Sequence, residues 1–339
     1  MLRIANYVEN RLGRSDGNPL YVQACLKRMQ YYIGIHAGKG ANQELAGWFA
    51  DGKEDESARA SAKALYEKIN DMMEIDHFIP HGDLKPFGEY DAHLWVDWGE
   101  DGLKGVLPYT PIECPKPMIY WASDTHIQTP TSDSYPYRLS MAKKADIVFC
   151  AQKRGMEEMK RDGVANPIWL PHAVEPQAYP KFDLLSKKYD VCFVGHVNSK
   201  NREDALDRMF SEFPNFYYGQ QLFEAAARKY AETKVVFNIS MADDLIMRVF
   251  EVMATGSFLL TNWVPTIEEL FEDGKHLVLY KTLDEAVDKA KYYIAHDEER
   301  EKIAQAGYEH VIKNHTIQHR VNRILSEFID SRKKVLATA

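Results

Sequence analysis

A chain of 339 residues, 45% hydrophobic and 27% charged, is long for one core and comfortable for two domains of a globular protein. Its net charge of −8 argues against a general affinity for nucleic acid or anionic membrane. The apolar run RIANYV is too short for a signal peptide, no segment approaches the length of a membrane span, and the four cysteines show no CxxC spacing, so a cytoplasmic protein is expected, with Cys150 and Cys192 as buried free thiols.

Periodicity alternates between strands and helices, which predicts a parallel α/β architecture. In the first half the strand candidates are Leu2–Val8, Ile75–Ile79, Ala92–Asp97, Met118–Trp121 and Asp146–Cys150, with helices at Pro19–Met29, Ser57–Met73 and Lys153–Asp162. Gly99–Pro117 reads as a Pro- and Gly-rich loop long enough to border an active site. Leu170–Lys188 holds three prolines and no clear period, as a hinge between domains would. Beyond it, strands are expected at Asp190–Gly195, Phe216–Tyr218, Val235–Ile239, Phe258–Thr261 and Leu277–Leu279, and three consecutive helices from about Leu283 to the C-terminus.

Several strand ends carry chemistry. Asn6–Gly17 is a strand and loop in which Gly13 and Gly17 give freedom, with Arg14 and Asp16 as candidate sugar or phosphate contacts or as parts of a plain turn. The run MIYWASDTHI ends on Asp124 and His126, where open α/β sheets bind ligands. Either group could accept a proton from an acceptor hydroxyl; a helix cap plus a surface histidine is the alternative. Asp97, closing HLWVD, has similar standing. After the strand YDVCFV, Gly195 permits close approach to the backbone, and Lys200 and Arg202 could reach a phosphate or be solvated cations of a βα turn. His172 at the hinge and His196 after Gly195 are further candidates for contact with a ligand, or structural histidines.

The densest segment is Asn238–Gly274, which packs a strand end, a helix, a Gly stop, a second strand and a second helix into one stretch. Ser240–Asp244 form a polar turn whose aspartate can cap the helix, leaving backbone N–H groups for a phosphate. Arg248 can supply a planar, bidentate donor, and Glu251 a carboxylate suited to the paired hydroxyls of a ribose. An amphipathic helix carrying an i,i+3 ion pair would show the same residues. Other motifs fail. GIHAGKG lacks the Ser/Thr and spacing of a P-loop, and no dinucleotide G-x-G-x-x-G follows a strand. Neither H-E-x-x-H nor a Cys/His cluster appears, so no metal is expected, and G-x-S-x-G is absent.

The run RVFEVMATGSFLLT, followed by EELFEDG and by KYYIAHDEEREKIAQAGYEHVIKNHTIQHRV, resembles the C-terminal half of GT-B glycosyltransferases. It is most similar to the spore-maturation (CgeB-like) branch of the group-1 glycosyltransferases. The resemblance covers Asp190–Arg323 and is much weaker over the first half. It implies α/β GT-B architecture, with two Rossmann-like domains facing a central cleft and C-terminal helices packing back on the first domain. The corresponding boundaries are 1–172 for the acceptor side, 173–318 for the donor side and 319–339 for the returning helix.

Many group-1 members carry two acidic residues eight apart, which here are Asp243 and Glu251, with Asp where Glu is commoner. The resemblance further implies metal-independent transfer of a sugar from a nucleoside-diphosphate sugar, UDP-sugar favoured, to an unidentified acceptor such as a glycan, protein or small molecule. No cofactor is expected beyond the donor. Gly195, Lys200, Arg202, Ser240, Asp243, Arg248 and Glu251 would bind the donor. Asp124, His126 and Arg248 would serve the chemistry; if configuration is retained, Asp124 and His126 would position the sugar and the donor phosphate could act as base. Gly13, Arg14, Asp97, His172 and His196 would border the cleft. A non-catalytic GT-B binding protein, an epimerase and a phosphorylase are the rival expectations.

Overall fold

The computed structural model describes residues 4–8, 75–78, 92–96, 116–122, 134–182, 185–197, 199–221, 223–240 and 244–338. The chain divides into two compact units, one of Met1–Glu54, Lys63–Pro171 and Ile317–Ala339, the other of Asp55–Ala62 and His172–Thr316.

The first unit is built on a parallel six-stranded sheet: β1 (Ile4–Val8), β2 (Ile75–Phe78), β3 (Ala92–Val96), β4 (Met118–Ala122), β5 (Ile147–Cys150) and β6 (Ile168–Trp169), in spatial order β2-β1-β3-β4-β5-β6. Strand β4, MIYWA, is buried along its whole length, as a strand covered on both faces must be. Two helices, α1 (Ser134–Lys144) and α2 (Lys153–Arg161), pack Met141, Ala142 and Met159 against Met118, Tyr120, Val148 and Cys150.

Neither α1 nor β6 was expected. The sequence SYPYRLSMAKK has no clean apolar stripe and carries Pro136, yet a proline in the first turn of a helix removes a hydrogen bond that would not form there anyway. Strand β6 has only two residues, too few for a period to show. The expected helices Pro19–Met29 and Ser57–Met73, and the loop from Gly99 through 115, lie outside the described residues.

The second unit holds a parallel five-stranded sheet of β7 (Tyr189–Val194), β8 (Phe216–Gly219), β9 (Thr233–Asn238), β10 (Leu259–Asn262) and β11 (Val278–Tyr280), in order β11-β10-β9-β7-β8. Its helices are α3 (Lys200–Glu212), α4 (Phe223–Ala231), α5 (Met247–Ala254), α6 (Leu283–Ala295) and α7 (Asp297–Asn314). Alternate residues of β7 and β9, Val191, Phe193, Val235 and Phe237, share one core with Ala205 and Met209 of α3 and Ala286 and Ala290 of α6. The last helix, α8 (Ile317–Thr338), belongs to the first unit, where Arg320 Nε donates to the Pro171 carbonyl at 2.7 Å.

Local chemistry sets the ends of these elements. The Ser199 hydroxyl caps α3 by accepting from Arg202 N–H, and Thr282 caps α6 in the same way through Glu285 N–H. Gly256, at φ +69°, closes α5 in the left-handed conformation that only glycine adopts without strain. A β-carbon there would sit 2.9 Å from Lys181 Cε. Cys150 and Cys192 are free and fully buried, and burial pushes each thiol up to about 12.

In the second unit consecutive strands depart from β7 in opposite directions, β8 to one side and β9 to the other. The loops after β7 and β9 therefore diverge at the carboxyl edge of the sheet and leave a crevice between them, the usual binding position in open α/β sheets.

Candidate functional site

At this crevice Gly195 ends β7 with φ +150°. A β-carbon on it would lie 2.0 Å from Arg248 Nη2 and 2.8 Å from Arg248 Cζ, so the guanidinium rests directly on the glycine backbone. Arg248 comes from the first turn of α5 and is half-buried. Its Nη1 donates to Asn238 Oδ1 at 2.8 Å, and its Cζ lies 4.6 Å from the centre of the Phe193 ring. Among the described residues no carboxylate forms an ion pair with Arg248. Among these residues its charge is held in place by the Asn238 amide, the Tyr230 hydroxyl, an aromatic face and a glycine, none of which neutralises it.

Arg202, brought in by α3, has its Cζ 5.6 Å from the centre of the same Phe193 ring. It is 5% exposed, and its donors go to the loops: Nη1 to the His196 carbonyl at 2.8 Å and Nη2 to the Ile239 carbonyl at 2.9 Å. Burial first, and then the charge of Arg248, lower its pKa to about 10. Arg202 ties together the loops after β7 and β9, while Arg248 supplies the cation between them.

Glu251 follows Arg248 by less than one turn and is 7% exposed. It faces Tyr230 of α4, whose hydroxyl is pushed far up, first by burial and then by the Glu251 carboxylate, with Arg248 opposing. Ser240 lies just past β9, and its N–H donates to Asn262 Oδ1 at 2.7 Å. Lys200 is exposed and pairs with Glu203 at 3.4 Å and Asp204 at 2.7 Å on its own helix. His196 contributes its backbone carbonyl to Arg202; His172 is half-buried at the start of the second unit, two residues before the bridge between Val174 and Thr316.

One expectation is corrected. No aspartate occupies the N-cap of α5: that position is Ile246, with no side-chain cap. The helix begins at Met247, two residues later than a cap at Asp244 would set it, and Asp244 lies in the interior at 2% exposure instead. The N-cap residue Ile246 thus offers the first-turn N–H groups of α5 no side-chain acceptor, and that helix end is electropositive.

The structure brings together Gly195, Arg202, Arg248 and the segment before Ser240. Asp97, Asp124, His126, Gly13, Arg14 and Asp243 lie outside the described residues. The sequence reading overlooked Phe193, Asn238 and Tyr230. Asn238 did carry a signal: it is a polar side chain closing the apolar strand TKVVFN, and a fully buried amide must find partners. Among the described residues no group of His, Cys, Asp and Glu could hold a metal ion, and no helix is long and apolar enough to cross a membrane.

Two open parallel sheets, one with a cationic crevice at its switch point, define a class of fold, and known proteins share it. A sucrose-phosphate synthase (tll1590) from Thermosynechococcus elongatus aligns over 100% of both chains with TM-score 0.59 and 11% identity. Anabaena Alr3699/HepE, solved in complex with UDP, aligns over 98% of this chain and 100% of its own, with TM-score 0.62 and 12% identity. TarM aligns over 70% of this chain and 54% of its own, with TM-score 0.53 and 10% identity. The fold is that of the GT-B glycosyltransferases. Residues 184–326 match the family described as glycosyl transferase-like, and that match together with the fold supports a glycosyltransferase. No curated protein matches the chain.

Proposed function

We propose that this protein transfers a hexosyl group from a nucleoside-diphosphate sugar, UDP-sugar favoured, to an acceptor hydroxyl without a metal ion. The observation that carries this reading is the guanidinium of Arg248, paired with no carboxylate among the described residues and seated on Gly195 at the switch point of the second unit's sheet, inside the segment with glycosyl transferase-like sequence. In the reaction the bond between the anomeric carbon and the diphosphate oxygen breaks and a bond to the acceptor oxygen forms. Negative charge then grows on the leaving diphosphate. A guanidinium and the uncapped end of α5 stabilise such charge in the role a divalent cation takes elsewhere.

In this proposal Arg248 contacts the diphosphate, Arg202 holds the two loops that shape its pocket, and Glu251 takes the ribose hydroxyls. Residues 173–318 form the donor side and 1–172 the acceptor side. Asp124 or His126 receives the acceptor proton if configuration inverts; the donor phosphate receives it if configuration is retained. The likeness of RVFEVMATGSFLLT to the spore-maturation branch supports placing the chain there, and its charge and free thiols support a cytoplasmic setting.

A thermal-shift panel of UDP-, GDP-, ADP-, CMP- and dTDP-sugars with the free nucleotides tests the reading. Binding at a hundredfold excess over Kd stabilises the folded state by about 2.7 kcal/mol, enough to raise the midpoint by several degrees. An upward shift with one nucleotide class, lost in Glu251→Ala, is the expected result. A folded sample that shifts with none of them refutes the proposal.

A further inference from the structure

Arg248 is held on one side by a fully buried amide, beside its hydrogen bond with Tyr230. Asn238, the last residue of β9, is 0% exposed. Its Oδ1 accepts from Arg248 Nη1 at 2.8 Å, and its Nδ2 donates to Thr261 Oγ1 at 2.8 Å on the neighbouring strand, where Thr261 is its register partner. Its backbone carbonyl accepts from the Tyr280 hydroxyl at 2.8 Å, which anchors the same residue to β11. A guanidinium has donors only, so the amide oxygen must face Arg248 and the amide nitrogen must face Thr261. The amide orientation is therefore fixed on both sides.

An amide has a consequence that a carboxylate would lack. Both would hold the guanidinium, but a carboxylate at this distance would cancel its charge and compete with any anionic ligand. We infer that Asn238 is a positioning residue that presses Arg248 against Gly195 with its full charge available for the donor diphosphate, the Thr261 hydroxyl locking the amide. This rests on the reading of Arg248 as the diphosphate contact.

The test is a double-mutant cycle read by calorimetric UDP affinity, with urea unfolding of each variant run alongside. Asn238→Asp keeps shape and tether but pairs with Arg248, so UDP binding should weaken about tenfold, less than the loss of a whole charge-assisted contact because the guanidinium stays in place. In an Arg248→Ala background the same substitution should change affinity by less than about twofold, because its effect acts through Arg248. A merely structural role would lower affinity equally in both backgrounds, and that result overturns the inference. So does wild-type affinity in Asn238→Asp.

Thr261→Val retains Asn238 and the side-chain shape while freeing the amide to turn. It should weaken UDP binding about threefold, a fraction of one hydrogen bond, and carries the test if Asn238→Asp does not fold. Unchanged affinity there overturns the locking role. If Arg248→Ala binds UDP as the wild type does, the donor-site reading itself fails and takes the inference with it; if only Arg248→Ala weakens binding, the site stands and the positioning role falls.

Discussion

Gly195→Ala separates the place of Arg248 from its identity. The new methyl would meet Arg248 Nη2 at 2.0 Å and Nε at 3.4 Å, so something must yield. The guanidinium is the tip of a flexible side chain, whereas the Gly195 backbone is held by its N–H bond to the Gly219 carbonyl at 2.8 Å. The arginine therefore moves, by more than an ångström if ordinary contact distance is to be restored, and its bond to Asn238 Oδ1 breaks. Two costs follow, and different assays read them. A non-glycine residue at φ +150° strains the backbone by about 1–3 kcal/mol, which urea unfolding reports. A displaced Arg248 loses a charge-assisted contact to the diphosphate worth about 2 kcal/mol, or roughly thirtyfold in UDP affinity, which calorimetry reports. Gly274→Ala is the control. Gly274 also has positive φ, +72°, but nothing lies within 4 Å of the added methyl. It should lose stability and keep its UDP affinity. Equal affinities in Gly195→Ala and wild type would refute the reasoning, since an arginine that can be pushed aside without consequence is not the anion contact.

Other perturbations distinguish residues by what their donors and acceptors already hold. Arg202→Lys keeps a charge but cannot bridge the His196 and Ile239 carbonyls together, so unfolding should shift by about 1–3 kcal/mol while UDP affinity falls less than in Arg248→Ala; a larger loss of affinity than of stability would make Arg202 a ligand instead. Glu251→Gln keeps shape and one acceptor oxygen, and should weaken uridine and UDP alike, whereas an effect confined to UDP would move Glu251 from ribose to phosphate. His276 accepts from the Glu272 N–H through Nδ1 at 3.1 Å and stacks on His310, and burial, then the charges of His310 and Lys275, lower its pKa below the usual 6.5. A depressed folded pKa means the unfolded state binds the proton first. The stability His276 contributes is therefore complete above about pH 6.5 and lost as pH falls through the folded value. His276→Gln should flatten the pH dependence of urea unfolding between about pH 7 and 5, and an unchanged profile would show that His276 does not carry it.

What could be read from the chain follows from how each feature is encoded. The five strands of the second unit and the helices from Leu283 onward were legible, with ends moved by one or two residues, because buried parallel strands are continuous apolar runs and the first of those helices opens on a cap at Thr282. Gly195 and Arg248 were each picked out by residue type. Their contact was not legible, since it depends on α5 starting at Met247 after an uncapped Ile246, not at the polar turn where an aspartate suggested it. Arg202 shows the opposite outcome. A cation after a strand-end glycine suggests a phosphate ligand, and only the structure reveals that two loop carbonyls have already taken its Nη1 and Nη2.

The pair of arginines over Phe193 also explains why the site needs its scaffold to be this polar. Two like charges near one ring repel, and the lowered pKa of Arg202 records that strain together with its burial. Arg202 stays charged at neutral pH because carbonyl dipoles solvate it from inside the protein; among the described residues Arg248 meets the Asn238 amide, the Tyr230 hydroxyl and the Phe193 face, so more of its solvation must come from outside. An anion entering the crevice satisfies Arg248 and relieves the repulsion on Arg202 at once. Binding should accordingly raise stability beyond what one contact accounts for, and the excess should vanish in the uncharged variant Arg202→Met. A ligand-induced gain equal in wild type and Arg202→Met, at matched saturation, would show that the two guanidinium groups are energetically independent.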